Sequence, residues 1–449
     1  YRSTMDTNKA CVLLLNLPPG ALGGINLLSF TTTDRFKGVK ELPSGWHFVF
    51  TSSTSSLSVR HGAWFRVNNT PGSPPQVFIK KWDAAAEELV TETDEAETLR
   101  WRANLGTVWR EGLTPYRQSA SKDGEEQEER ESDWRDLTDC ISADMLFRIL
   151  GDDATPDHWA LTSASSAARD MDDIPGLSKE QSAFQPEREL RFLPVDLRQT
   201  WREGATGRER TDAARDRSWA LGELVEQHCA RKDEDEILGE MQFSFLMVLT
   251  LNNNSCLEQW RRLLELLFTC KRAVVERPGF YVKLLQLLRL QLKRTQDAEG
   301  GLFDLSEDGA SLLKSLLRRF RKGLDELQGA QKADVLDELD DLEEFLKSEY
   351  GWQLDDAFVR QGMLELEDGE QVEMDVAGYD EDDETGEYAP TMVELTADQK
   401  KSLGLSEDVI ISDTGQLKKL TKPDHGVGDV EQEEESEEEA GVEDMDSRY

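Results

Sequence analysis

Apolar positions change their rhythm twice along the 449 residues of this chain. Near the N-terminus they fall in short runs. Val12 to Leu17 is apolar but for Asn16 and of strand length, the pattern of a buried strand. Pro18, Pro19 and Gly20 stop it, and Gly23 and Gly24 offer the backbone freedom for a tight return. Phe36, Val39 and Leu42 lead to a second turn at Pro43-Ser44-Gly45, and Trp46 to Phe50 is aromatic and β-branched, as strands prefer. Leu13 to Phe50 therefore predicts strand, turn, strand, turn, strand. Ala63 to Val67 and Gln76 to Lys81 predict two more strands around the Gly/Pro loop Asn68 to Pro75, and such spacing suggests a sandwich or barrel.

Lys122 to Asp133 is a charged run expected as a solvated insert, and Trp134 to Leu150 predicts a helix. Gly151 to Gln185 has linker composition. From about Pro186 to Tyr350 the period becomes helical. Asp212 to Cys229 carries Trp219, Leu221, Leu224 and Val225 on one predicted side. Ile237 to Leu251 is apolar nearly all round and predicts a central, buried helix. Ser255 is a candidate cap for a helix striped by Leu257, Trp260, Leu263, Leu264 and Leu267, and Pro278 suits the first turn of the next. Ala310 to Leu327 and Val335 to Tyr350 complete about six helices, a bundle or superhelix. The expected class is α+β, multidomain. Residues 1–150 form a β-rich sandwich-like or barrel-like domain with the acidic insert near 122–133. A linker covers 151–185, a helical domain 186–352, and an acidic, largely disordered tail 353–449.

Charge sharpens the last boundary. The formal net charge is -39, and residues 354–449 carry 7 basic against 31 acidic side chains, about -24. Such a segment buries too little apolar surface to offset chain entropy. Three pieces stand out within it: Met363 to Val376, a candidate hairpin around Glu367-Asp368-Gly369; Tyr388 to Leu395; and Val409 to Leu420. The Tyr388 to Leu395 island, with Tyr388, Pro390, Met392, Val393 and Leu395, has the form of a strand that adds to a partner's open sheet edge. Ser436, inside a run of glutamates, suits an acid-directed kinase.

The same charge argues against gripping nucleic acid over a broad face. No window approaches the ~20 apolar residues of a membrane span. No secretory signal peptide is read, and a first residue of Tyr1 rather than Met points to a start outside this sequence. Five unpatterned cysteines (Cys11, Cys140, Cys229, Cys256, Cys270) point to a reducing compartment and core thiols.

Candidate chemistry is thin. Pro18 to Gly24 lacks both the dinucleotide and the phosphate-loop fingerprint, so a turn outweighs a phosphate cradle. The five histidines lack metal spacing; His47 suits a structural or partner-facing role, and His228 beside Cys229 suits capping or packing. No nucleophile elbow or paired-carboxylate frame is present. No catalytic residue, metal or cofactor is assigned. Basic clusters at Arg261-Arg262, Lys271-Arg272, Lys293-Arg294 and Arg318 to Lys322 fit solvated helix faces, with docking of an acidic surface, the chain's own tail included, as the sharper reading.

Three blocks together resemble the cistron-splicing factor family: LPPGALGGINLLSF with DRFKGVKELPSGWHF at the N-terminus, Glu189 to Trp201 leading to Asp216 to Leu224, and Leu238 to Leu267. They stand in the family's order, and the match looks closest to filamentous-fungal members. The resemblance implies a non-enzymatic assembly chaperone of the spliceosomal U5 particle. It implies binding to the large scaffold, pre-mRNA-processing factor eight, through its RNase H-like and Jab/MPN domains, with the particle's RNA helicase held off until phosphorylation. It also implies a monomer found in cytoplasm and nucleus, and equates the family's tail strand with Tyr388 to Leu395. The alternatives are a general acidic chaperone of histones or ribosomal proteins, driven by tail charge, and a nucleotide-dependent enzyme using Pro18 to Gly24.

Overall fold

Strand β1 (Ala10–Leu15) is buried along its whole length because both of its faces are covered, which is why its sequence is apolar without alternation. In the computed structural model the described residues are 10–54, 58–69, 74–117, 124–151, 159–168, 189–295, 311–327 and 330–352, with four short strands beyond. The chain divides into two units, Tyr1–Asp355 and Asp356–Tyr449.

In the first unit β1 is followed by β2 (Leu22–Ile25), β3 (Leu28–Thr31), β4 (Gly38–Leu42), β5 (Gly45–Ser52), β6 (His61–Val67), β7 (Val77–Asp83) and β8 (Glu88–Thr91). Helices α1 (Glu95–Ala103) and α2 (Leu105–Glu111), strand β9 (Leu113–Pro115), helices α3 (Gly124–Asp136) and α4 (Ala143–Leu150) and strand β10 (Ala160–Thr162) come next. One sheet has the order β8-β7-β1-β4-β9, the other β10-β6-β5-β2-β3. The first is mixed: β1 pairs antiparallel with β4 but parallel with β7. The second is antiparallel throughout.

The strands' period of two sorts their side chains into layers. Val12 and Leu14 from the first sheet meet Val49, Phe65 and Val67 from the second, forming the centre of a sandwich. Cys11, Leu13 and Leu15 point the other way, under Trp101, Leu105 and Trp109 of α1 and α2. Trp46, Phe48, Phe50 and Trp64, on the far face of the second sheet, belong to the same core as the helical half. Trp64 lies 5.0 Å from Phe48, 6.0 Å from Trp134 and 6.2 Å from Phe243 between ring centroids. The sheets and helices are thus one continuous body.

The helical half comprises α5 (Gly207–Arg215), α6 (Ser218–His228), α7 (Asp235–Leu251), α8 (Asn254–Leu267), α9 (Arg272–Glu276), α10 (Pro278–Arg294), α11 (Ser311–Glu326) and α12 (Ala333–Tyr350). Every residue of α7 from Glu236 to Leu251 is buried, as its all-round apolarity predicts. Its two buried carboxylates, Glu236 and Glu240, are held internally. Glu240 accepts the Leu193 N–H at 3.0 Å, Gln259 Nε2 at 2.7 Å and Arg148 Nη1 at 2.8 Å. Glu236 takes Arg148 Nε at 2.9 Å. That network ties the Glu189 to Trp201 segment into the core. Arg60, just before β6, donates to the Thr250 carbonyl at 2.9 Å, linking sheet to helix across 190 residues.

Several expectations change. The charged Lys122 to Asp133 run is helical where it is described: α3 covers residues 124–136, its described side chains exposed or half-buried up to Ser132, and its Asp133 is buried against Arg294, whose Nε donates at 2.8 Å. The single helix expected over Trp134 to Leu150 is two, because Ser142 caps the second by accepting the Met145 N–H. Part of the expected linker is β10, drawn to the sheet edge by buried Trp159 and Leu161. Asn253, not Ser255, caps α8; it accepts from Cys256 N, while Ser255 Oγ accepts from Ala167 N. Asp212 to Cys229 is broken at Asp216, and Trp219 lies 36% exposed, turned away from Leu221, Leu224 and Val225. Among the described residues no helix is long and apolar enough to cross a membrane.

In the second unit, Gln361–Glu365 (β11) pairs antiparallel with Gln371–Asp375 (β12), the hairpin expected around Glu367 to Gly369. Val409–Ile411 (β13) and Leu417–Lys419 (β14) form another in the third patch.

Candidate partner-binding surfaces and the N-terminal signature

The N-terminal signature is structural in detail. Gly24 lies inside β2, not in a turn: a Cβ there would sit 2.0 Å from Phe50 Cζ, so the ring occupies the space a side chain would need. Gly38 has φ +142°, and its Cβ would meet the Val12 carbonyl oxygen at 2.0 Å, where β4 crosses β1. The strand–turn–helix frame of a phosphate loop is absent here, since β2 leads straight into β3.

Asn26 and His47 join the two strings of the signature. His47 is buried and its Nε2 lies 2.9 Å from the Pro43 carbonyl oxygen. A carbonyl only accepts, so Nε2 carries the proton and Nδ1 accepts from Asn26 Nδ2 at 3.0 Å. Asn26 Nδ2 also donates to the Tyr116 hydroxyl at 2.8 Å, and its Oδ1 accepts the Phe48 N–H at 2.9 Å. Burial lowers the imidazole pKa to about 4, against a smaller opposing pull from the Pro43 bond. His47 is a neutral structural group, inward-facing rather than partner-facing.

The thiols are likewise unsuited to chemistry. Burial raises Cys11, Cys229 and Cys270 to about 12, and raises Cys140 further. Cys11, Cys229, Cys256 and Cys270 are buried, as expected of core thiols. Among the described residues no three His, Cys, Asp or Glu side chains cluster as metal ligands.

Most of the basic clusters are answered from within. Lys271 pairs with Glu326 at 2.7 Å, Arg272 with Glu276 at 3.0 Å, and Arg321 with Glu343 at 2.6 Å. Arg261 pairs with Glu258 at 3.1 Å, and Lys293 with Glu129 at 2.5 Å. Their charge is spent within their own helix or on a neighbouring one, which weakens the reading of a basic dock for the acidic tail.

A groove of about 570 Å³ opens between the α3–α4 connection, α7, α10 and α12. Leu238, Leu287, Leu290 and Phe345 give it an apolar floor, and Asp136, Asp139, Lys283 and Lys293 contribute charge. Burial raises the Asp136 carboxyl against the pull of Arg135. Gln242 holds the connection in place, donating to Asp139 Oδ1 at 2.5 Å and accepting the Cys140 N–H at 3.0 Å. A floor of this kind with a charged rim fits a protein segment better than a small polar metabolite. The tail candidates Tyr388, Pro390, Met392, Val393, Leu395 and Ser436 lie outside the described residues.

The halves of this architecture match known families separately. The family model described as the AAR2 N-terminal domain matches residues 8–151, and that of the AAR2 C-terminal repeat region matches residues 192–355. The chain belongs to the AAR2 family. The Protein AAR2 homolog of Pongo abelii is 28% identical over 306 residues, 63% of this chain and 75% of the relative. The human Protein AAR2 homolog is 27% identical over 309 residues, with the same coverage. The A1 cistron-splicing factor AAR2 of Saccharomyces cerevisiae is 23% identical over 283 residues, 60% of this chain and 73% of the relative. The AAR2 N-terminal model ends just after α4, and the C-terminal model begins in the segment that Glu240 anchors.

Proposed function

We propose that this chain is a non-catalytic assembly factor in pre-mRNA splicing that holds the immature U5 particle by its scaffold, pre-mRNA-processing factor eight. The observation that carries the reading is the match of both halves to the AAR2 family, whose yeast relative bears the name cistron-splicing factor. The engaged state of the chemical candidates agrees with it: His47 is locked neutral and the thiols are held protonated.

In this account the folded body docks the scaffold's RNase H-like and Jab/MPN domains, and the Tyr388 to Leu395 segment adds a strand to one of their sheet edges. The factor delays helicase docking, is released by phosphorylation in the acidic tail, with Ser436 a candidate, and works in cytoplasm and nucleus. Titrating the scaffold's RNase H-like domain, alone and joined to the Jab/MPN domain, into the full chain tests this. Deleting Tyr388 to Leu395 should weaken binding of the joined pair while the melting curve stays unchanged; equal affinity would remove the strand. The tail's 31 acidic side chains against 7 basic favour a second reading, a charge-driven chaperone of basic proteins. It requires binding that collapses at moderate salt.

A further inference from the structure

A second concavity, unlike the groove of mixed charge, has acidic side chains in its lining and no lysine or arginine. It measures about 230 Å³ and is walled by the 194–203 segment and α6. Two tryptophans, Trp201 and Trp219, line it together with Asp196, Glu203, Glu223 and His228, and no lysine or arginine does. Trp219 is 36% exposed, and among the described residues it has neither a ring partner nor a cation over it. Glu203 and Glu223 are exposed, and among the described residues neither forms an ion pair or hydrogen bond. Asp196 uses Oδ1 to accept the Arg198 and Gln199 N–H groups at 2.8 and 3.1 Å, which fixes the carboxylate at the rim.

A large indole left about a third exposed, beside carboxylates that form no ion pair among the described residues, is an unfinished arrangement. Aromatic faces attract cations, and a guanidinium satisfies both a ring face and a carboxylate fork. The molecule already uses this pairing next door. Arg210, which is not part of the pocket lining, lies 5.8 Å above the Trp201 ring. Phosphates and acidic segments are repelled by the same carboxylates, so neither nucleic acid nor an acidic tail fits.

We propose that the Trp201–Trp219 pocket receives an arginine side chain from a basic segment of a partner protein. Trp219 supplies the ring face, and Glu223 and Glu203 supply the opposing charge. The position on the folded body makes this contact independent of the tail strand. Only the partner's identity rests on the assembly-factor reading; the pocket's chemistry does not.

The test is a fluorescence-anisotropy titration of the full chain with a short labelled Gly/Ser peptide carrying two arginines, against the same peptide with citrulline in their place. At physiological salt the arginine peptide should bind and the citrulline peptide should not. Trp219→Ala should weaken binding roughly three- to fivefold, and Trp219→Ala with Glu223→Gln roughly tenfold. Both side chains are exposed, so melting curves should be unchanged, and Glu223→Gln alone serves as a variant that leaves the indole in place. The proposal is overturned if the arginine peptide does not bind, if citrulline binds equally, or if affinity is unaltered by these variants and lost only when Glu431 to Tyr449 is removed. A synthetic probe keeps the result separate from the U5 reading.

Discussion

Asn26 Nδ2 donates to His47 Nδ1 at 3.0 Å, so two sequence strings 21 residues apart specify one buried contact. The signature is a packing and hydrogen-bonding unit. It sets the β2–β5 pairing from which the second sheet is built.

This pair should make the fold acid-sensitive in a defined window. The folded imidazole is held near 4 against an ordinary 6.5, so the unfolded chain binds the proton first. The stabilisation is complete above about pH 6.5 and is lost as pH falls toward 4, with a ceiling of about 3 kcal/mol. His47→Phe should cost about 1–3 kcal/mol at neutral pH, because the bonds of His47 to Asn26 Nδ2 and to the Pro43 carbonyl are lost in a buried site. Urea melts should show the gap between wild type and variant narrowing between about pH 7 and pH 4.5. A constant gap would contradict the assignment.

The shared core predicts one transition for sheets and helices. Trp64→Ala removes a fully buried ring between Phe48, Trp134 and Phe243 and should cost about 3–5 kcal/mol. Trp64→Phe should cost much less, since the Trp64 Nε1 proton has no acceptor among the described residues. Far-UV circular dichroism at the helix minimum and tryptophan fluorescence should move together through the denaturant transition. Separate midpoints for the two probes would mean that the halves fold independently.

The buried pair of Asp133 and Arg294 docks α3 onto α10. Asp133→Ala takes the buried carboxylate away from the Arg294 guanidinium and should cost about 3–5 kcal/mol, whereas Asp133→Leu with Arg294→Met should restore much of it. A double-mutant cycle in chemical denaturation checks this. Additive single effects would show that the pair carries no coupling.

How much of this was legible follows from what each signal reports. The apolar run of β1, the all-round apolarity of α7 and Pro278 at the first turn of α10 are local patterns with local consequences, and each predicts its element. Parallel pairing of β1 with β7 is not local, since some sixty residues separate the strands and no periodicity encodes a register. The α3 helix is hard to read because its faces are nearly all charged; it docks through Asp133 and Trp134, with Lys293 of α10 paired to Glu129 and Asp133. Trp219 faces outward for a simpler reason. Two residues before Leu221 is about 200° around a helix, the opposite face, so spacing alone could have placed it outside. The pocket it shares with Trp201 needed the chain between them to fold back, which no motif announces. The tail residues Tyr388 to Leu395 and Ser436 rest on sequence alone.

The central claim is that this chain holds the U5 scaffold before the helicase joins. Tagging the full chain in cells, cross-linking, purifying it and quantifying the recovered proteins tests that most directly. The account predicts stoichiometric pre-mRNA-processing factor eight with the particle's RNA helicase depleted. Recovery of the helicase in equal amount, or of histones or ribosomal proteins without the scaffold, would contradict it.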